Sequence, residues 1–125
     1  MVRVDSIDHV AFIVRDLDRS IAWYQDLFGM ERRYQDVWTG KGDPALLCVS
    51  STCVALFRSD QPEPMSSHHR NEHLALRADR ANFERAQREL RERNIDFSVR
   101  DHTICHSIYF ADPDGNNIEL TTYEV

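Results

Sequence analysis

The chain has 125 residues, a formal net charge of −6, a pI near 5.4, and 42% hydrophobic against 29% charged residues. That is one domain of ordinary globular sequence, too short for two independent cores. The acidic balance argues against general binding to nucleic acid or a membrane surface, and no apolar run approaches the roughly 20 residues that span a bilayer.

Ile7 to Val14 (IDHVAFIV) reads as a strand. Asp16 or Asp18 then caps a helix running to Phe28, with Ile21, Tyr24, Leu27 and Phe28 on one face and Gly29 as the stop. Met30 to Trp38 alternates weakly, as a strand would, before a turn at Gly40 to Pro44. Ala45 to Val49 and Cys53 to Arg58 form two short strands across a tight Ser50-Ser51 turn, and Ser59 to Arg70 is a loop by composition. Then the order restarts: strand Glu72 to Arg77, helix Arg80 to Arg93 with Phe83, Ala86 and Leu90 inward, and a short strand Ile95 to Val99. A hairpin follows, Ser107 to Phe110 and Ile118 to Tyr123, across the turn Asp112-Pro113-Asp114-Gly115-Asn116.

The N-terminal stretch MVRVDSIDHV has no signal-peptide core. Cys48, Cys53 and Cys105 are odd in number and lie in apolar or strand contexts without a CxxC spacing, which reads as reduced, buried thiols of a cytoplasmic protein.

The restart is an internal repeat. IDHVAFIV aligns with NEHLALRA, so that His9 and His73 stand 64 positions apart, and the same offset places Val54-Ala55-Leu56 on Ile118-Glu119-Leu120. Strand alternation puts Glu119 on the face opposite Ile118 and Leu120, where a carboxylate is either solvated or bound by something that offsets its burial. If the halves are equivalent, positions 9, 55, 73 and 119 converge, and three of them carry donors: His9, His73 and Glu119. Two imidazoles and one carboxylate, with Ala55 at the empty corner, form a facial triad for a divalent metal. Fe(II) oxygenases are its best-known users, and imidazole and carboxylate also suit Mn, Ni, Co or Zn, so the triad alone does not name the metal.

At these residues the sequence resembles the vicinal oxygen chelate superfamily of glyoxalases, fosfomycin- and bleomycin-resistance proteins and extradiol dioxygenases. The matching pieces are DHVAFIVRDLDRSIAWYQDLFGM from Asp8, EHLAL from Glu72 and SIYFADPDGNNIEL from Ser107. The resemblance implies an α+β fold of two pseudo-symmetric βαβββ modules, near 1–58 and 71–125 of one domain over 1–125. Their curled sheets would form a cup around a metal held by His9, His73 and Glu119. It also implies a homodimer with the metal site shared between subunits and a small-molecule substrate.

Within the superfamily, Ala55 removes the fourth ligand that glyoxalase I and methylmalonyl-CoA epimerase use. Fosfomycin transferases share a Ser-x-Tyr matching Ser107 and Tyr109, but Ala11 and Val99 stand where they have Thr and Lys, and their C-terminal phosphonate-binding Arg falls beyond the end of this chain. Bleomycin-binding members lack the triad. The extradiol signature is matched in order by His102, Tyr109, Pro113, Gly115 and Glu119, with Arg100 in place of a small residue and half the usual length. On this resemblance the expected activity is Fe(II)-dependent ring cleavage of a catechol, with His102 as the acid–base group and Tyr109 hydrogen-bonding the substrate oxygen. The alternatives are a metal-dependent lyase, isomerase or thiol transferase, or a binding protein without catalysis. His68, His69 and His106 are expected to be structural or exposed, and the Ser59–Arg70 and Trp38–Asp43 segments to line the mouth of the cup.

Overall fold

The first strand, β1 (His9–Val14), runs directly into α1 (Leu17–Phe28). Of the two candidate caps it is Asp16 that serves, its Oδ1 accepting from the Arg19 N–H at 3.1 Å. Asp18 lies in the first turn, where its charge complements the helix dipole. Gly29, at φ +64°, closes the helix through its N–H to the Gln25 carbonyl. The computed structural model describes residues 1–3, 5–59 and 72–125. Ser59 apart, the Ser59–Arg70 loop, with His68 and His69, lies outside the described residues.

The chain divides into two units, Met1–Met65 and Ser66–Val125. In the first, β2 (Glu31–Arg33), β3 (Ala45–Val49) and β4 (Thr52–Arg58) join β1 in the order β1-β4-β3-β2, with β1 and β4 parallel and the other pairs antiparallel. In the second, β5 (Leu74–Arg77), β6 (Ser98–Asp101), β7 (His106–Ala111) and β8 (Asn117–Thr122) repeat that arrangement as β5-β8-β7-β6, with α2 (Arg80–Glu92) after β5. The α+β class and the paired modules are therefore as the sequence implies. The duplication is visible in the register: Ala11 faces Ala55 across β1 and β4, and Ala75 faces Glu119 across β5 and β8, each pair shifted by 64 positions.

Three expectations are corrected. The strand placed at Met30 to Trp38 is only Glu31–Arg33, because Tyr34 takes φ +62° and its carbonyl accepts from both Val37 and Trp38, turning the chain away from the sheet. The strand placed at Ile95 to Val99 begins at Ser98, since Asn94 at φ +57° and the Ile95 N–H to the Leu90 carbonyl still belong to the helix end. The cysteines are not all free: Cys48 and Cys53 form a disulfide, and only Cys105 remains a buried thiol. The reason is register. The Ser50-Ser51 turn, with Ser50 at φ +53°, makes Cys48 and Cys53 direct cross-strand partners.

The hairpins of the two units differ by one residue. Leu46 faces Ala55 from nine residues away, whereas Tyr109 faces Glu119 from ten. The longer connection is Asp112 to Asn116. Buried Asp112 accepts there from the Asp114 and Asn116 N–H groups and from the Asn116 side chain at 2.8–2.9 Å, while Gly115 supplies φ +85°. In the second sheet Leu74, Leu76, Ile108, Phe110, Ile118 and Leu120 are buried on one face, matched by Phe83 and Leu90 of α2. Strand parity leaves Ala75, Ser107, Tyr109, Asn117, Glu119 and Thr121 on the other face. That face holds the chemistry.

Candidate functional site

Glu119 sits mid-strand in β8 between Ala75 of β5 and Tyr109 of β7, and is only 9% exposed. A buried carboxylate needs partners, and the neighbouring strands supply them to each oxygen separately. Ser107 Oγ donates to Oε1 at 2.6 Å and Tyr109 OH donates to the same atom at 3.2 Å. Oε2 lies 2.8 Å from Nε2 of His73, which immediately precedes β5. Ser107 Oγ also meets Thr121 Oγ1 at 3.0 Å, so the hydroxyl that grips the carboxylate is itself tied to β8.

His102 completes the row. β6 ends at Asp101, paired with His106, and the four-residue loop that follows is closed by the His102 N–H to the Cys105 carbonyl, with Thr103 at φ +74°. His102 Nε2 reaches Tyr109 OH at 2.9 Å. The phenol thus lies between the imidazole and the Glu119 carboxylate, with the tautomer of His102 setting which partner of the 2.9 Å bond donates. Burial and the negative charge of Glu119 raise the Tyr109 pKa above the ordinary tyrosine value, so the phenol stays a donor at neutral pH. His73, Arg100, His102, Tyr109 and Asn117 line one cavity of about 770 Å³. Arg100 forms no ion pair among the described residues.

Of the expected site residues, His73, Glu119, Tyr109 and His102 meet in one hydrogen-bonded row within the second unit. His9 opens β1 of the first unit, the position that corresponds to His73, with Nδ1 2.7 Å from Asp8 Oδ2, a bond that leaves Nε2 as the outward nitrogen. Within either unit, no three His, Cys, Asp or Glu side chains gather as a ligand cluster among the described residues. His106, on the opposite face, contacts Asp101 at 3.5 Å and stays outside the row, as its strand parity implies. Trp38 to Asp43 line a separate cavity of the first unit. The sequence signals the grip of Ser107 on Glu119 only through the parity that Ser107 shares with Tyr109 on β7, beside the strand of Glu119.

The donor set suits a divalent cation. An imidazole nitrogen and a carboxylate oxygen point at one another, and the other carboxylate oxygen is held by hydroxyl donors, as metal-binding carboxylates commonly are.

Comparison with known proteins agrees. The family model described as "Glyoxalase/Bleomycin resistance protein/Dioxygenase superfamily" matches residues 6–120. Metallothiol transferase FosB of Staphylococcus epidermidis is 30% identical over 124 residues, covering 97% of this chain and 84% of that protein. FosB of Lysinibacillus sphaericus is 30% identical over 122 residues, covering 95% and 83%. Among solved structures, the fosfomycin resistance protein FosX of Mesorhizobium loti superposes with a TM-score of 0.74 at 25% identity over 96% of this chain and 93% of that one. A variant of FosX from Listeria monocytogenes, complexed with Mn(II) and 1S,2S-dihydroxypropylphosphonic acid, shares the fold with a TM-score of 0.80 at 18% identity, over 96% and 93%. No helix among the described residues is long and apolar enough to cross a membrane.

Proposed function

The chain belongs to the Glyoxalase/Bleomycin resistance protein/Dioxygenase superfamily, and from that premise we propose that it is a divalent-metal-dependent enzyme that adds a thiol to a small electrophile. The relatives at 30% identity over nearly the whole chain are metallothiol transferases, which favours thiol transfer over the ring cleavage expected from the extradiol-like spacing. The observation that carries the reading is the grip on Glu119: hydroxyl donors on one oxygen and His73 on the other.

In this reading His73 and Glu119 hold the metal together with His9, contributed within a homodimer. When bound, the metal supplies Lewis acidity toward the oxygen of the electrophile. Mn(II), named with the Listeria FosX variant, takes the place of Fe(II) as the favoured ion. Ser107 fixes the carboxylate. Tyr109, kept protonated by its surroundings, donates toward oxygen at the site, and His102 orients the phenol from behind. Arg100 adds a positive charge to the wall of the cavity, which favours an anionic electrophile. Ala11 and Val99, where fosfomycin transferases carry Thr and Lys, point to an electrophile other than fosfomycin.

The test is thiol consumption by Mn(II)-loaded protein offered low-molecular-weight thiols with a panel of small epoxides bearing carboxylate or phosphonate groups. Metal-dependent turnover that His73→Ala abolishes is the expected result. No turnover of any pair, with a tightly bound metal, removes thiol transfer. The His102–Tyr109 contact at 2.9 Å favours one second reading, extradiol cleavage. Oxygen uptake with catechols by Fe(II)-loaded protein selects it.

A further inference from the structure

The first unit holds a cavity that the proposed chemistry does not use. It measures about 630 Å³ and lies between the start of α1 and the segment that follows Tyr34, with Arg15, Arg32, Trp38, Lys41 and Arg58 among its lining side chains. We propose that this cavity is a second small-molecule site, for an organic anion carrying carboxylate or phosphate groups.

The carboxylates and the cations of this lining are in different states. Of its three acids, Asp16 gives an oxygen to the Arg19 N–H as the cap of α1, Asp43 accepts from the Gly40 N–H at 2.9 Å, and Asp18 lies in the first turn of α1, where the helix dipole offsets its charge. Two of the three charges are thus already engaged by main-chain donors. The side chains of Arg32, Lys41 and Arg58 form no ion pair and no hydrogen bond among the described residues. One of them is more than idle. Arg32 Nε is buried from solvent and has no hydrogen-bond acceptor, a state that folded proteins rarely leave unmet. Its strand explains why it is held there: Arg32 faces Leu47 in the register of β2 with β3, so the side chain shares a face with the completely buried Leu47 and Val54.

A ligand oxygen would answer that donor, and a planar guanidinium presents its donors as a fork matched to carboxylate or phosphate. Trp38, 37% exposed and set by a ring contact to Tyr34 at 5.3 Å, adds a flat wall with an indole donor. Cations without side-chain partners among the described residues, a sequestered N–H and an aromatic face together specify an organic anion rather than a bare inorganic one.

The test exploits the fact that Trp23 and Trp38 are the only tryptophans. In a Trp23→Phe background, the Trp38 fluorescence is titrated with citrate and with inorganic phosphate, against sodium chloride at matched ionic strength. The expected result is a saturable change with citrate, tighter than with phosphate and absent with chloride, and weakened roughly tenfold or more by Arg32→Met and by Arg58→Gln. Circular dichroism checks that each variant is folded. Should Arg32→Met unfold, Lys41→Gln in the exposed loop carries the comparison. Phosphate binding as tightly as citrate would leave an inorganic anion site and overturn the organic class. A response that chloride reproduces, or that survives in the folded variants unchanged, overturns the site.

Discussion

Ser107 donates to Oε1 of Glu119 at 2.6 Å, and Oε2 is left facing His73 Nε2 at 2.8 Å. Ser107→Ala removes the brace without changing the ligands. We expect Mn(II) affinity, measured by calorimetry, to fall roughly 10- to 100-fold, and stability to fall by about 1 kcal/mol as the buried carboxylate loses a donor. Unchanged affinity would show that the carboxylate needs no positioning.

His73→Ala and Glu119→Ala should each abolish stoichiometric metal binding, measured by elemental analysis after purification and dialysis. His9→Ala is the sharper experiment, because His9 belongs to the other unit of the repeat. Loss of metal equal to that of His73→Ala supports a triad. Full retention by His9→Ala sinks it.

Tyr109→Phe deletes one hydroxyl from a site it does not otherwise reshape. Turnover should fall roughly 100- to 1,000-fold while metal affinity changes far less. His102→Gln, which keeps a donor near the phenol, should cost less than Tyr109→Phe. Single-turnover kinetics on the two variants separate these effects.

The raised pKa of Tyr109 fixes a sign for stability against pH in the metal-free protein. The folded state holds this proton more tightly than the unfolded chain, whose tyrosines titrate near pH 10. Its contribution is therefore complete below about pH 10 and is lost as pH rises from there through the folded pKa. Urea melts should show wild type losing stability faster than Tyr109→Phe above pH 10, and the two running parallel below it.

The Cys48–Cys53 bond closes a short loop, since the two residues are five positions apart. On loop-closure entropy alone it is worth about 2 kcal/mol. Alkylation of denatured protein without reductant should label Cys105 only, and all three cysteines after reduction. Three labels without reductant would show that the bond does not form.

The sequence made the repeat legible because both its anchors, the histidine strands and the strand carrying Ala55 or Glu119, keep one spacing. Caps were equally legible, as Asp16 and Gly29 act through their own local chemistry. Pattern and structure part where a single backbone angle overrides a plausible alternation. Tyr34 and Asn94 adopt positive φ although neither is a glycine, and each ends an apparent alternation early or delays it. The disulfide was hidden for a different reason. Two cysteines in adjacent strands meet only if the turn between them has a particular length, and the two-residue Ser50-Ser51 turn has it. The row from His102 to His73 was half visible. Residue types and order suggested it, but the separate hold on each oxygen of Glu119 requires atomic positions.

The one-residue difference between the two hairpins reaches further than its size suggests. Each side chain of β7 alternates in direction, so the number of residues in Asp112 to Asn116 sets the phase of the whole strand. Deleting one residue from that turn would swing Ile108 or Phe110 toward the acid and send both hydroxyls into the hydrocarbon layer. The row of side chains around Glu119 is thus set from a bend that lies outside it, and on the proposed function insertions or deletions there will change activity more than most substitutions in the cavity wall.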